Sequence, residues 1–372
     1  MADTAWLTLL QAAAVAPRGL LDALKARGSA EALLGESHRG LLALGVAEEA
    51  IARLGSPDTG LLARWHDWLA GDRRTLVTFG SSSYPPRLAE LADAPLALWV
   101  EGPELALLGA PQLAVVGSRS PTASGRDTAE QFAKYLAKRG LTVTSGLATG
   151  IDGAGHQGAV GELGGTVAVL GSGIDVIFPR VHERLAAEIA AHGLLVSEYA
   201  PGTEPQKYFF PRRNRIIAGL ALGTLVVEAT RRSGSLITAR LAMDYGREVF
   251  AIPGSIHNPL ARGCHWLIRQ GAKLVEEAAD ILVELAPQLE ITIAPEPATA
   301  ESAPSAHALE SDPSYRNLLD VLDFSPTPIT ELSARAQLTT AELSSMLLVL
   351  ELEGLVEALP GGRYSRSGKG KS

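Results

Sequence analysis

Short apolar runs alternate with longer amphipathic segments through the middle of this chain. The runs have the length and composition of buried strands, at residues 113–116, 141–144, 166–170, 194–196, 225–227 and 249–251. Helix-length segments follow the first three runs, at 124–139, up to 163, and at 180–191. Strands that alternate with helices at this spacing form right-handed βαβ units, with helices on both faces of the sheet. The pattern therefore predicts an α/β fold with a mainly parallel sheet.

Loops rich in glycine and serine follow three of these runs. They are Gly117-Ser118-Arg119, the segment from Ser145-Gly146 to Asp152, and Gly171-Ser172-Gly173. Because an open parallel sheet binds its ligand at the carboxyl ends of the strands, we expect the binding site at these loops.

A basic segment lies between Lys207 and Arg240. It contains seven Lys and Arg residues against one acid, Glu228, although the whole chain has a formal charge of −8. Two aromatic residues, Phe209 and Phe210, stand beside the first cations. The segment predicts a helix at 214–220, a strand at 224–228 and a second helix that Ser233-Gly234-Ser235 opens, with N–H groups free to meet an anion. Cations, aromatic rings and an open helix N-terminus together favour single-stranded nucleic acid.

A structural interpretation of the same residues stays open. Arginine-rich segments usually form solvated faces or salt bridges, and paired phenylalanines usually lie in a core. Similarly, Asp152 and His156, four residues apart on a predicted helix, are a possible catalytic pair, but a helix-capping Asp152 and a structural His156 are the more common arrangement.

The loops do not match established cofactor motifs. Gly117-Ser118-Arg119 lacks the later glycines of a dinucleotide fingerprint, and Val176 stands where the third glycine of the Gly171 loop would be. The sequence Gly370-Lys371-Ser372 has no leading glycine and no following helix, so it is not a phosphate-binding P-loop. No His or Cys spacing is typical of zinc. We therefore expect no cofactor, no metal and no catalytic residue.

The flanking segments predict further domains. Residues 1–75 predict short helices of a SAM or helix-hairpin-helix type, 76–286 the α/β domain, 287–312 a disordered linker rich in Ala, Pro, Ser and Glu, and 313–372 a winged helix. A winged helix usually binds duplex DNA, but its second and third predicted helices carry one Arg and no Lys, so a protein contact is equally plausible. With one cysteine, no export signal and no apolar run long enough to span a membrane, we expect a cytoplasmic protein.

Several motifs resemble those of the DNA processing protein A (DprA, or Smf) family. They are Gly117-Ser118-Arg119, Ser145-Gly-Leu-Ala-Thr-Gly-Ile-Asp152, Phe210-Pro-Arg-Arg-Asn-Arg-Ile-Ile-Ala-Gly219, Ser233-Gly-Ser-Leu-Ile-Thr-Ala239 and Gly263-Cys-His-Trp-Leu-Ile-Arg-Gln-Gly-Ala272. The resemblance covers about residues 84–275, and the flanking domains also fit the family. His265 and His182 depart from it, since each stands where the family often has Asn.

The resemblance implies a Rossmann-like domain that dimerises and binds single-stranded DNA without being an enzyme. In that family the protein protects incoming strands during natural transformation and helps to load the RecA recombinase. Arg119, Lys207 and the Arg213/Arg215 cluster would contact the DNA, and Phe210 would stack on a base. The full predicted site is Gly117, Ser118, Arg119, Ser145, Gly146, Lys207, Phe210, Arg213, Asn214, Arg215, Ser233, Gly234 and Ser235.

Two further expectations concern function and assembly. The alternative function is a Rossmann-like enzyme that cleaves nucleoside monophosphates, although the Gly-Gly-x-Gly-Thr loop and following Glu of such enzymes are missing at residues 233–238. Apolar side chains on the predicted outer helices exceed what one covering layer needs, which fits either a homodimer interface or an ordinary core, and the resemblance favours the homodimer. These side chains are Leu236, Ile237, Leu241, Met243 and residues 266–268.

Overall fold

Six helices precede the sheet in the computed structural model of the chain, which describes residues 4–289, 313–352 and 355–367. They are α1 (Thr4–Val15), α2 (Leu20–Arg27), α3 (Ala30–Leu34), α4 (His38–Ala43), α5 (Glu48–Gly55) and α6 (Thr59–Leu69). Side-chain caps begin several of them; Ser29, Ser37 and Asp58 accept hydrogen bonds from the first turns of α3, α4 and α6. The prediction of a helical N-terminal region is confirmed.

The α/β region that follows contains nine strands. The first half comprises β1 (Arg74–Thr78), α7 (Pro86–Ala89), β2 (Ala97–Glu101), β3 (Gln112–Val116), α8 (Ala123–Lys138), β4 (Thr142–Ser145), α9 (Ile151–Ala159), β5 (Thr166–Val169) and α10 (Glu183–His192). The second half comprises β6 (Leu194–Ser197), α11 (Phe209–Leu220), β7 (Gly223–Val226), α12 (Ser235–Asp244), β8 (Glu248–Ala251), α13 (Arg262–Arg269), β9 (Lys273–Leu274) and α14 (Ala278–Leu289).

These strands form one sheet in the order β1-β2-β6-β5-β4-β3-β7-β8-β9. From β6 to β9 all neighbours are parallel, whereas β2 is antiparallel to both β1 and β6. The chain proceeds from β3 to β6 in one direction and then returns to add β7 on the other side of β3. This reversal places the topological switch point between the carboxyl ends of β3 and β7, where sheets of this type bind ligands. The predicted mainly parallel α/β fold is confirmed.

Helices cover both faces of the sheet and bury its apolar strands. One core lies under α11, α12 and α13, and another lies under α8, α9 and α14. A third joins the N-terminal helices to the β1–β2 end of the sheet. There, Trp65 and Trp68 of α6 pack edge-on against Trp99 of β2, with ring centroids 5.5 and 5.7 Å apart. The N-terminal helices therefore share a core with the sheet, and their treatment as a separate domain of residues 1–75 stays a prediction.

The chain divides into two compact units between residues 293 and 294. The second contains α15 (Pro313–Val321), β10 (Thr327–Pro328), α16 (Ile329–Ala336), α17 (Thr340–Leu352), β11 (Val356–Leu359) and β12 (Arg363–Arg366). Its three helices enclose a leucine-rich core beside a three-stranded sheet of order β10-β12-β11, which confirms the predicted winged helix. The predicted linker, 287–312, lies outside the described residues except for 287–289, which end α14. Among the described residues, no helix is long and apolar enough to cross a membrane.

Candidate nucleic-acid interface

A cavity of about 670 Å³ opens at the carboxyl ends of β3 and β7, where the strand order reverses. A volume of this size is within the usual range of small-molecule sites. Most of the predicted site residues line it: Gly117, Ser118, Arg119, Lys207, Phe210, Arg213, Asn214, Ser233, Gly234 and Ser235. Ser145, Gly146 and Arg215 do not. The lining residues come from the β3–α8 loop, the start of α11 and the start of α12.

The β3–α8 loop presents Arg119 at the cavity. A Cβ atom on Gly117 would lie 2.6 Å from Ile151 Cγ1 and 2.9 Å from the Glu228 carbonyl oxygen, so glycine is required for this close approach. Thr122 anchors the far end of the loop, because its N–H and hydroxyl donate to the Glu228 carboxylate at 2.9 and 2.7 Å. The hydroxyl also accepts the Gly125 N–H and caps α8. Arg119 is thus an exposed cation on a fixed loop.

The start of α11 corrects one prediction. The sequence predicted this helix at 214–220, but α11 begins at Phe209 and contains Phe210, although a residue before proline usually has an extended backbone. Pro211 is the third residue of the helix, where its missing N–H has no intrahelical partner to lose. With helical spacing, Phe210, Arg213 and Asn214 lie on one face, toward the cavity. The side chains of this segment that line the cavity therefore follow the periodicity of a helix and not the alternation of a strand.

The two phenylalanines have different surroundings. Phe209 stacks on Tyr199, with ring centroids 3.9 Å apart, and does not line the cavity. Phe210 faces the cavity and lies 5.5 Å from Phe178 between ring centroids. A Cβ on Gly171 would lie 2.7 Å from Phe210 Cδ1, so this glycine loop supports the ring. The guanidinium carbon of Arg119 lies 5.9 Å from the Phe210 centroid.

Arg213 holds the cavity floor together. It is buried and donates from Nη1 to the carbonyl oxygens of Gly146, at 2.6 Å, and Val169. Burial lowers the pKa of Arg213 to about 10, and the neighbouring Asp152 carboxylate opposes that shift. Ser145 is also structural here, since its hydroxyl donates to the Val115 carbonyl at 2.6 Å. Arg213, Gly146 and Ser145 thus join the ends of neighbouring strands.

Arg215 lies on another side of α11. Its side chain is buried and pairs with Glu198 at 2.6 Å and with Asp93 at 3.1 Å. A contact with DNA stays a prediction for Arg215, whose Nε and Nη2 atoms already pair with the two carboxylates. Helix spacing explains the divergence, because residues two positions apart are separated by about 200° around the axis.

The start of α12 forms one wall of the cavity. No acidic residue lies in its first turn and no side-chain cap bond is formed at Gly234. The hydroxyls of Ser233 and Ser235 are 2.7 Å apart, and the Asn214 amide reaches the Gly234 carbonyl at 3.5 Å. The N–H groups of Ser235, Leu236 and Ile237 already meet acceptors on Ser233 and Gly234, so it is the positive end of the helix dipole that favours a phosphate at this wall of the cavity.

Several lining residues were missed by the sequence reasoning as site residues: Ala148, Asp152, Phe178, Ile217, Thr230, Ile237 and Thr238. Asp152 was expected to cap a helix. It instead lies in the first turn of α9 and accepts, through Oδ2, the N–H groups of Gly146 at 3.2 Å and Ala148 at 3.4 Å. Burial raises the pKa of Asp152, against the attraction of Arg213. Ile217 follows Phe210, Arg213 and Asn214 at helical spacing, and this spacing is the sequence signal that could have identified it as a lining residue.

Three histidines, His156, His182 and His265, make structural contacts. The buried His156 shares a 2.7 Å hydrogen bond through Nδ1 with the Thr166 hydroxyl, which itself donates to the Val143 carbonyl. Burial lowers the pKa of His156 to about 3, and His182 and Arg213 add to the shift. His182 donates from Nδ1 to the Leu147 carbonyl at 2.9 Å, and His265 Nε2 contacts the Gly254 carbonyl at 3.0 Å. The two departures from the family pattern thus hold loops and do not line the cavity.

Comparisons with known proteins agree with this fold. The family model for DNA recombination-mediator protein A matches residues 75–286, and that for the DprA winged helix domain matches residues 296–362. Protein Smf of Escherichia coli (strain K12) is 46% identical over 296 residues, 79% of this chain and 78% of that protein. DNA processing protein DprA of Streptococcus pneumoniae (strain ATCC BAA-255 / R6) is 50% identical over 201 residues, 54% of this chain and 71% of that one.

Solved structures give the same result. The X-ray structure of DNA processing protein A from Streptococcus pneumoniae matches with a TM-score of 0.68 at 37% identity, over 76% of this chain and 98% of that one. DNA processing protein A from Helicobacter pylori matches with a TM-score of 0.52 at 28% identity, over 57% of this chain and 97% of that one. The work on the latter protein describes its single-stranded DNA binding mode.

Proposed function

Because the chain belongs to the DNA recombination-mediator protein A family, also known as DprA or Smf, we propose that it binds single-stranded DNA at the cavity beside β3 and β7. We also propose that it protects incoming strands during natural transformation and loads RecA onto them. Both roles require that the protein hold DNA without altering it.

One observation carries the DNA-binding part of this proposal. Arg119, Lys207 and Phe210 meet the N-terminus of α12 around a single cavity, although Arg119 is far from the others in the sequence. The two exposed cations and the helix N-terminus match phosphates, and the aromatic ring matches the π-face of a base. In duplex DNA the faces of the bases are stacked on each other, so this combination favours an unpaired strand.

A binding comparison tests this part. Fluorescence anisotropy should show tighter binding of a labelled oligo-dT than of a duplex of equal length, and Lys207→Ala should weaken the single-strand complex. Arg39→Ala is a matched control, because Arg39 is an exposed cation on α4, outside the cavity. Equal affinities for single strand and duplex, or equal losses in the two variants, would contradict the proposal.

A non-enzymatic role is supported by the chemistry of the lining. Asp152 is the one acidic side chain among the described residues that line the cavity, and two backbone N–H groups hold its Oδ2. A carboxylate fixed in this way orders its own loop. We therefore expect no release of free base from nucleoside monophosphates during prolonged incubation. Measurable release by the wild-type protein, lost in Asp152→Asn, would favour the alternative enzymatic function.

The RecA role needs its own experiment. We expect the protein to shorten the lag before RecA begins ATP hydrolysis on single strands already coated with a single-strand-binding protein. Lys207→Ala should lose this effect together with DNA affinity, whereas Arg39→Ala should keep it. A protein that binds DNA tightly but leaves the lag unchanged would be a strand binder without a loading function.

Dimerisation is part of the same proposal. Of the apolar residues expected at the interface, Leu236 and Leu267 are buried in the core of one chain, and Leu241, Met243, Trp266 and Ile268 are half-buried against it. Ile237 remains 38% exposed. We propose that the half-buried side chains of α12 and α13, with Ile237, form the contact between two copies in the cytoplasm.

A further inference from the structure

The surroundings of Phe210 leave one side of its ring to Arg119. Elsewhere the ring packs against Gly171, where an added Cβ would lie only 2.7 Å from Phe210 Cδ1. The Phe178 ring lies 5.5 Å away between centroids, at an interplanar angle of 45°. The guanidinium carbon of Arg119 lies 5.9 Å from the ring centroid. Arg119 is exposed, and among the described residues it has no hydrogen-bond or ion-pair partner. The guanidinium and the ring therefore face each other at the cavity, and no hydrogen bond or ion pair among the described residues holds the guanidinium in place.

The distance from the Arg119 guanidinium to the Phe210 ring is close to the separation of two planes that enclose one base. Aromatic planes in contact are separated by about 3.5 Å, so a base between two planes needs about 7 Å. The present 5.9 Å falls short by roughly 1 Å, which an exposed arginine side chain accommodates by a small rotation. A planar guanidinium stacks on an aromatic face, whereas a lysine ammonium has no plane to offer.

We propose that Arg119 and Phe210 hold one unpaired base between them, with Arg119 acting as a stacking surface rather than mainly as a phosphate contact. This inference rests on the proposed single-strand binding and assigns the second face of the base. It makes insertion of an unstacked base the step that distinguishes single strands from duplex. A cation that contacts phosphates alone does not make that distinction.

A charge-conserving substitution separates the two roles. Arg119→Lys keeps the cation but removes the plane, so affinity for oligo-dT should fall about tenfold. Because arginine also binds phosphates in a bidentate manner, the same variant is measured on an abasic oligonucleotide of equal length, which keeps the phosphates and lacks every base. There, Arg119→Lys and the wild type should agree within about twofold, since no base is present to stack.

Controls and contrary outcomes are well defined. Arg39→Lys makes the same exchange at an exposed position outside the cavity and should leave both affinities unchanged. The melting temperature of Arg119→Lys should match the wild type, because Arg119 is exposed. An equal loss on both oligonucleotides would make Arg119 a phosphate contact and overturn the inference, as would no loss on oligo-dT. A wild-type protein that bound neither oligonucleotide would instead reject the proposed function.

Discussion

Replacing Phe210 with alanine should weaken DNA binding, whereas the same replacement at Phe209 should not. The ring of Phe210 lines the cavity, and base–aromatic stacking contributes about 1–3 kcal/mol per base. Phe210→Ala should therefore weaken binding of oligo-dT by roughly tenfold or more. The salt dependence of binding should stay unchanged, because the substitution removes no charge.

Phe209→Ala is the matched control, and its cost should appear mainly in stability. Removing a fully buried Phe costs about 3–5 kcal/mol, and Phe209 is half-buried, so roughly half of that applies. Loss of the 3.9 Å stack on Tyr199 adds about 0.5–1.5 kcal/mol. Phe210 is also half-buried against Gly171 and Phe178, so its own replacement should cost about 2 kcal/mol.

Two measurements on each variant decide the matter. Urea unfolding gives the free energy of unfolding, and anisotropy with oligo-dT gives the affinity under conditions where both variants are folded. Retained DNA affinity in Phe210→Ala, with a tenfold loss in Phe209→Ala, would refute the reasoning, since it would show that the wrong ring faces the DNA.

Three other predictions concern buried charges and assembly. Arg215→Ala should destabilise the protein, by less than the about 3–5 kcal/mol of a buried charge left with no partner, because the Glu198 carboxylate keeps its longer 3.4 Å pair with Arg212; Glu198→Gln, as a comparison, should cost less in urea unfolding. For His156, the folded-state pKa of about 3 lies below the ordinary 6.5, so the unfolded chain binds the proton first and stability falls as pH drops below about 6.5. Urea unfolding at pH 5 should show about 2 kcal/mol less stability from this group than at pH 7, and His156→Gln should lose that difference. Light scattering at micromolar concentration should give twice the 39.0 kDa mass of one chain, and Ile237→Asp should shift it toward the monomer; a wild-type monomer would reject the dimer.

The periodic parts of the sequence predicted the fold well. The alternation of apolar runs and amphipathic segments is repeated often enough that each strand from β3 to β8 lies within one or two residues of its expected position. The winged helix was also predicted, and α16 and α17 are its second and third helices. The N-terminal region was predicted only as a set of short helices, since a helix such as α3, with five residues, has no long amphipathic pattern.

The site was predicted in composition but not in geometry. Residue type alone cannot distinguish Arg213, Arg215 and Arg119, which are chemically alike. Their roles depend on which carbonyl or carboxylate groups lie within reach after folding, and those groups belong to distant segments. The helix was predicted to begin at 214 and not at Phe209, and the extended backbone usual for a residue before proline is an average preference that the first turn of α11 overrides.

The hydrogen bonds of Asp152 were also beyond what the sequence could predict. Its position in a glycine-rich loop before a helix is typical of a cap, and the sequence contains no sign that Gly146 and Ala148 would turn their N–H groups toward it. The fold of that loop depends on Arg213, which donates a hydrogen bond to the Gly146 carbonyl although the two residues are 67 positions apart. Contacts over such separations are a property of the tertiary structure and not of a local pattern.

The salt dependence of single-strand binding tests the central claim most directly. If Lys207 neutralises a phosphate in the cavity, the log–log slope of affinity for poly-dT against salt should be about −0.7 or steeper, at about −0.7 for each phosphate neutralised. Lys207→Ala should make the slope shallower by about 0.7, and Arg39→Ala should leave it unchanged. A wild-type slope near zero, or a Lys207→Ala slope equal to that of the wild type, would contradict binding of single-stranded DNA at this cavity.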